Sequence, residues 1–256
     1  MRLGMTISNK FDCPALDFLY LCIGIIYFIM NSMYEILMDL PLFQGVSRDK
    51  LSELIEKTPF HFLKYNDGQE IIAANSYCTH MKFIISGKVT LETQCRNLKI
   101  KLHETLSSPN VLGPDYLFGR TTAYPFAAYA NGDCGILQIS KSDYINILQS
   151  DNVFLFNMLN VISRNSQRLS EKLLSLSTGS VAERLAFFIT SLTQRTGKDI
   201  KISFKQKDIC TLLGIQRSSF INTMNKLQEN GLITFGMSEI SIHNREDFLN
   251  IIHSNE

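Results

Sequence analysis

Between Gln206 and Gly231 the chain carries two short helical patterns broken by a glycine. On the second, Phe220, Met224 and Leu227 recur at helical spacing and form one apolar face. The opposite face then holds Arg217, Ser218, Ser219, Asn222 and Lys226, with Gln216 just ahead of it and Gln206 and Lys207 opening the first helix. An arginine fork can meet guanine O6 and N7 together, an asparagine amide can meet adenine, and hydroxyls and lysine suit phosphate oxygens. From Arg184 to Lys226 there are eight basic residues (Arg184, Arg195, Lys198, Lys201, Lys205, Lys207, Arg217, Lys226) against Asp199 and Asp208, although the chain as a whole has a net charge of only +1. Any one of these lysines is equally well a solvated surface charge. A polar, basic helix face assembled on one side of an apolar stripe is far more specific, and it points to the major groove of DNA.

Other chemistries find little support. The six cysteines, Cys13, Cys22, Cys78, Cys95, Cys134 and Cys210, include no C-x-x-C pair and no histidine at a zinc-ligand spacing. They read as reduced, buried thiols of a cytoplasmic protein. His61, His80, His103, His243 and His253 stand apart from one another, and neither a nucleophile elbow nor a phosphate-binding glycine loop occurs. The expectation is no catalytic residue, no metal site and no cofactor.

The elements that must position the polar face follow from periodicity. At 256 residues the chain has room for two domains. Phe18 to Met30 is an apolar run, shorter than the roughly 20 residues a spanning helix needs, so no stable membrane association is expected. Translation starting at Met30 or Met33 would remove it, and residues 1–33 are set aside as an atypical extension. Tyr34 to Thr58 is helical, with Ser47 as a cap. From Phe60 to Ser140 the period shortens to strands, read as Met81–Ile85, Lys88–Thr93, Leu98–Leu106, Phe126–Ala130 and Gly135–Ser140, with Ser86-Gly87 as a tight hairpin. Then Leu155, Leu159, Ile162, Ser166, Leu169, Leu173 and Leu176 alternate at four and three, the seam of a self-associating helix. Ser177-Thr178-Gly179 ends that helix, and Ser180 with Glu183 makes a capping box for the next. Gly214 marks the sharp corner, and Leu232–Thr234 with Glu239–Ile242 reads as a β-hairpin wing. The fold class is α+β, divided into a sensor domain over 34–150, a dimerisation helix over 151–178 and a winged helix-turn-helix over 179–256.

From Tyr34 onward the chain resembles the Crp/Fnr family of bacterial regulators. The resemblance is carried by Phe43-Gln44-Gly45-Val46, Gly68, Ile71-Ile72, Phe83 to Val89, Pro125 to Ala130 and Asp208 to Ile233. It implies a cyclic-nucleotide-binding-like β-roll, or jelly roll, as sensor, a homodimer through the heptad helix, and a recognition helix opened by Gln216-Arg217-Ser218-Ser219, with Arg217 reading a base in each half of an inverted-repeat operator. It also implies RNA polymerase as a partner. Two departures stand out. Cyclic-nucleotide binders of the family follow a Phe-Gly-Glu turn with an Arg-Ser/Thr pair; here the turns are Leu112-Gly113-Pro114-Asp115 and Tyr124-Pro125, with Arg120 the nearest arginine. Leu112, Gly113, Arg120 and Tyr124 are therefore the candidate effector pocket, the effector is unknown, and cyclic AMP is not expected to bind. Ser218 and Asn222 replace residues that are often acidic and basic in the family, which leaves the operator sequence open. The alternatives are a cyclic-nucleotide-responsive regulator and a ligand-binding module without DNA function.

Overall fold

The computed structural model describes residues 34–94, 99–175, 179–194 and 196–253, with residues 165, 168–175, 249 and 251–253 described by backbone alone. The apolar run Phe18–Met30, the alternative starts at Met30 and Met33, and Cys13, Cys22, Cys95, Leu176 and Arg195 lie outside the described residues. Among the described residues no helix is long and apolar enough to cross a membrane.

Residues 34–39 are helical, and α1 (Arg48–Lys57) follows, its Ser47 side chain accepting from the Lys50 N–H and its Leu51 and Leu54 buried. The roll comprises β1 (His61–Tyr65), β2 (Glu70–Ile72), β3 (His80–Gln94), β4 (Lys101–Ser107), β5 (Asn110–Leu112) and β6 (Phe126–Ser140). α2 (Lys141–Ser150) is capped by Ser140, and after Asp151 the chain enters α3 (Asn152–Ser175). A capping box of Ser180 and Glu183 opens α4 (Val181–Leu192). β7 (Lys198–Ser203), α5 (Gln206–Leu213), α6 (Arg217–Glu229), β8 (Ile233–Phe235), β9 (Glu239–Ile242) and α7 (Arg245–His253) complete the order.

The short strands expected on either side of Ser86-Gly87 are one fifteen-residue strand, and so are those expected at Phe126–Ala130 and Gly135–Ser140. Ser86-Gly87 is not a hairpin. β3 runs through it against β6, with register shifts between Ile84 and Ser86 and between Ser86 and Lys88. Gly87 has φ +78°, and a Cβ there would strike the Asp133 carbonyl, so the glycine serves a bulge pressed against its neighbour strand. A positive-φ glycine fits a bulge as well as a turn, which is why the local pattern misled.

Two cores result. The first gathers α1, the roll and the roots of α2 and α3, with Phe43 at 6.0 Å from Phe83 and edge-on at 5.9 Å to Phe154. Asn157 fastens α3 to the chain ahead of α1, donating to the Leu42 and Gln44 carbonyls at 2.9 and 2.8 Å. The second core lies under α4 to α7, yet it also takes in Ile100 and Leu102, which come from the roll at the edge of β4. They reach it because the sheet is continuous: its order is β1-β6-β3-β4-β7-β9-β8, with β2 added on β6 and β5 on β3. β4 and β7 pair antiparallel at Lys101↔Ser203, Leu102↔Ile202 and His103↔Lys201. The junction is closed by Asn110, whose amide donates to the Thr196 hydroxyl at 2.7 Å, and by Glu104, whose carboxyl oxygen accepts from the Gln194 N–H at 2.7 Å.

Candidate nucleic-acid interface

The second core exists to hold α6. Phe220 is fully buried, edge-on to Phe204 at 6.0 Å and to Phe235 at 5.9 Å, and Met224 and Leu227 continue the same stripe inward. Aromatic pairs in this geometry add about 0.5–1.5 kcal/mol beyond the area they bury, and they fix the rotation of α6 about its axis. That rotation leaves Arg217, Ser218, Ser219, Asn222 and Lys226 exposed on the other side. Gln216 is exposed at the N-cap position without a capping side-chain bond.

α5 sets the start of α6. Its inward residues are Ile209, Cys210 and Leu213, whereas Leu212 faces solvent at 41% exposure. Gly214 takes φ +63°, and its N–H reaches the Cys210 and Thr211 carbonyls, ending the helix in a left-handed turn that an L side chain would resist. Lys207 is exposed, while Gln206 is half-buried because its side chain is engaged: its Oε1 accepts from Arg217 Nε at 3.0 Å, and its Nε2 donates to the Met237 carbonyl at 3.4 Å. Arg184 does not belong to the basic surface. Its Nε donates to the Gly179 carbonyl and its Nη1 to the Leu213 carbonyl, so it staples α4 to the end of α5. Lys198, Lys201 and Lys205 are exposed, and β8 and β9 form the wing, with Met237 at its tip 90% exposed.

Of the candidate effector residues, Gly113 adjoins Leu112 in the chain and packs on Tyr124, and Arg120 is the exposed member. Leu112 and Tyr124 are buried, Arg120 is exposed, and Gly113 lies against the rings of Phe126, Tyr124 and Tyr116. Those three rings pack at 5.4 to 6.0 Å, and the Tyr124 hydroxyl donates to Cys78 Sγ at 2.8 Å. Burial, with Cys78 beside it, pushes the Tyr124 phenol above its ordinary range. Burial likewise pushes the Cys78, Cys134 and Cys210 thiols up, away from the reactive thiolate.

On α3 the seam residues Leu155, Leu159 and Ile162 are exposed, at 39%, 47% and 37%, while Phe154 and Met158 face the first core. Phe156, which no heptad position singled out, adds a side chain 61% exposed. Ser166 is exposed, Leu169 and Leu173 are described by backbone alone, and Leu176 lies outside the described residues.

Sequence reasoning also missed Glu104 and Arg245. Both are buried, on elements about 140 residues apart, and no local pattern announces either. Desolvation pushes the Glu104 carboxyl up to about 8, although the Gln194 N–H and the Arg245 charge pull the other way.

Comparison with known proteins bears on both halves of the molecule. Residues 183–251 match the model of the Crp-like helix-turn-helix domain, and residues 62–151 match that of the cyclic nucleotide-binding domain. The chain belongs to the Crp/Fnr family of transcription regulators. Among its curated relatives is the nitrogen fixation regulation protein FixK of Azorhizobium caulinodans, 25% identical over 134 residues, which cover 49% of this chain and 54% of FixK. The chain thus spans about half the length of that relative. Among solved structures, this Crp/Fnr regulator is similar to the catabolite activator protein of Thermus thermophilus (18% identity, 84% of this chain and 100% of that one, TM-score 0.47). It is also similar to DNR of Pseudomonas aeruginosa (21% identity, 85% and 96%, TM-score 0.43). The architecture read from the sequence, a roll followed by a long helix and a winged helix-turn-helix, is the one observed. The helix-turn-helix match removes the alternative of a ligand module without a DNA-binding half.

Proposed function

We infer that this Crp/Fnr regulator binds an inverted-repeat operator as a homodimer, laying α6 of each protomer in the major groove. The observation that carries the reading is the two-sidedness of α6: Phe220, Met224 and Leu227 are locked inward, and the outward face holds Arg217, Ser218, Ser219, Asn222 and Lys226. Arg217 and Asn222 are of the types that discriminate between bases; Lys207, Gln216 and Lys226 are suited to phosphates. The exposed apolar side chains Leu155, Leu159 and Ile162 support pairing along α3, continuing over Ser166, Leu169, Leu173 and Leu176. Two-fold pairing sets the half-sites about 34 Å apart, one helical turn. The working compartment in this reading is the cytoplasm, and RNA polymerase is the partner through which binding changes transcription.

The roll is the sensor. One observation favours a cyclic nucleotide as its effector, the match of residues 62–151 to the cyclic nucleotide-binding domain. Against it, Arg120 is exposed, and the neighbourhood of Gly113 is filled by Tyr116, Tyr124 and Phe126, so a phosphate placed there would meet rings rather than a guanidinium. An effector other than a cyclic nucleotide is the better fit.

The test is selection of an operator from random duplexes, followed by binding of Arg217→Ala. The substitution should lose about 1–3 kcal/mol on the selected operator and relax preference at one base pair per half-site. Equal losses on operator and random DNA, or an operator without two-fold symmetry, would overturn the reading.

A further inference from the structure

We propose that Gln206 is a positioning residue for base readout, holding the Arg217 guanidinium so that only its terminal Nη1/Nη2 edge faces the groove. The inference rests on the reading of Arg217 as a base reader and says how that reading is made selective.

Gln206 is the first residue of α5 and Arg217 the first of α6, eleven positions apart, and the left-handed turn at Gly214 folds one helix start onto the other. Arg217 Nε donates to Gln206 Oε1 at 3.0 Å, and Gln206 Nε2 donates to the Met237 carbonyl in the wing turn at 3.4 Å. The two partners fix the amide's orientation chemically. A guanidinium has only donors and needs an acceptor, a carbonyl has only lone pairs and needs a donor, and one orientation of the amide satisfies both. Flipped, it would set NH2 against the guanidinium and oxygen against oxygen.

The consequence is geometric. Guanine offers O6 and N7 side by side and requires two roughly parallel N–H donors. An arginine can supply them from its Nε edge or from its two terminal nitrogens. With Nε committed to Gln206, and with no hydrogen bond on either terminal nitrogen among the described residues, the end-on fork is the edge left for a base. Binding then no longer has to order a long side chain from all its rotamers. Three elements converge on that one guanidinium: α6 carries it, α5 holds it, and the wing holds the holder.

The experiment uses the full-length protein, the operator it selects from random DNA, and a random duplex of equal length. Gln206→Met keeps side-chain length and removes both hydrogen bonds. The ratio of operator to random affinity should fall about 3- to 10-fold, the scale of freeing one rotamer-rich side chain at an interface. Random-duplex affinity should hold. In an Arg217→Ala background the same substitution should leave the ratio where Arg217→Ala alone put it. Gln206→Glu restores the acceptor for Arg217, so it should recover most of the ratio even while its charge weakens both duplexes. The proposal is overturned if Gln206→Met weakens both duplexes equally, as a direct backbone contact would. It is also overturned if the ratio falls just as far in the Arg217→Ala background, or if operator binding tightens, the sign of a sequestered arginine. An Arg217→Ala variant with an unchanged ratio overturns the base-reading assignment itself, and with it the relay; an Arg217→Ala loss that Gln206→Met does not share overturns the relay alone.

Discussion

Leu102→Ala asks whether the DNA-reading half stands on residues donated by the roll. Leu102 is 2% exposed, sits in the second core, and pairs across the sheet with Ile202. Truncation removes three side-chain carbons, and the lost transfer energy alone is about 2 kcal/mol. The sheet backbone on both sides cannot collapse into the gap, so the total falls within the roughly 2–5 kcal/mol seen for buried leucines. The informative point is where that loss is felt. Amide hydrogen exchange on the full-length protein should show protection of Ile240 and Ile242 in β9 falling by about 30-fold or more, since each 1.4 kcal/mol is a factor of ten. Protection of Ala128 and Ile136 in β6, which belong to the first core, should stay within about twofold, because distant sites are nearly independent. Ile100→Val, a smaller deletion in the same core, should cost about 0.5–1.5 kcal/mol with the same spatial pattern. Uniform loss over β6 and β9, or a loss below about 0.5 kcal/mol, the size of an ordinary surface substitution, would refute the idea that the roll completes the second core.

Two further outcomes are expected. The Glu104 carboxyl is pushed up to about 8 in the folded chain from an ordinary value of 4.5, chiefly by burial, so folding takes up a proton at neutral pH. Its contribution is fully present below the unfolded value and is lost as pH rises through about 8; denaturation free energy should fall by about 2–3 kcal/mol between pH 5.5 and 8.5, and Glu104→Gln should flatten the profile, whereas a wild-type profile already flat contradicts the assignment. Leu159→Glu puts a charge on the exposed seam of α3; with an unpaired buried charge costing about 3–5 kcal/mol, sedimentation should show monomer and operator binding should collapse, and an unchanged mass with unchanged affinity would remove the dimer reading.

What the sequence disclosed and what it concealed divide along the range of the forces involved. The helix-turn-helix was legible because everything that defines it is local: a 3.6-residue stripe at Phe220, Met224 and Leu227, and a glycine able to take positive φ at the corner. The ends of β3 and β6 were not, because Gly87 satisfies a turn and a bulge equally, and the partner strand decides between them. β1 escaped notice for another reason: its residues are mostly exposed, so it lacks the apolar alternation that marks a half-buried strand. Among the described residues, basic composition overstated the surface at Arg184, whose Nε and Nη1 are spent on two carbonyls. The Leu102–Ile202 pairing and the buried Glu104 lie furthest from reach, because their partners are 90 to 140 residues away and leave no periodic trace.

The continuous sheet also bears on how such a regulator can be recombined. A cut in the segment between α3 and α4 looks like a clean boundary, yet a DNA-reading half moved from there onward would leave Ile100, Leu102 and Glu104 behind. It would arrive with the β7 edge bare, a row of unpaired backbone groups open to foreign strands. A working chimera with another regulator must exchange residues 100–104 together with the C-terminal half. By the same token, residues 100–104 and 194–203 answer to each other within one sheet, and the unit that supports the helix-turn-helix is discontinuous in the chain.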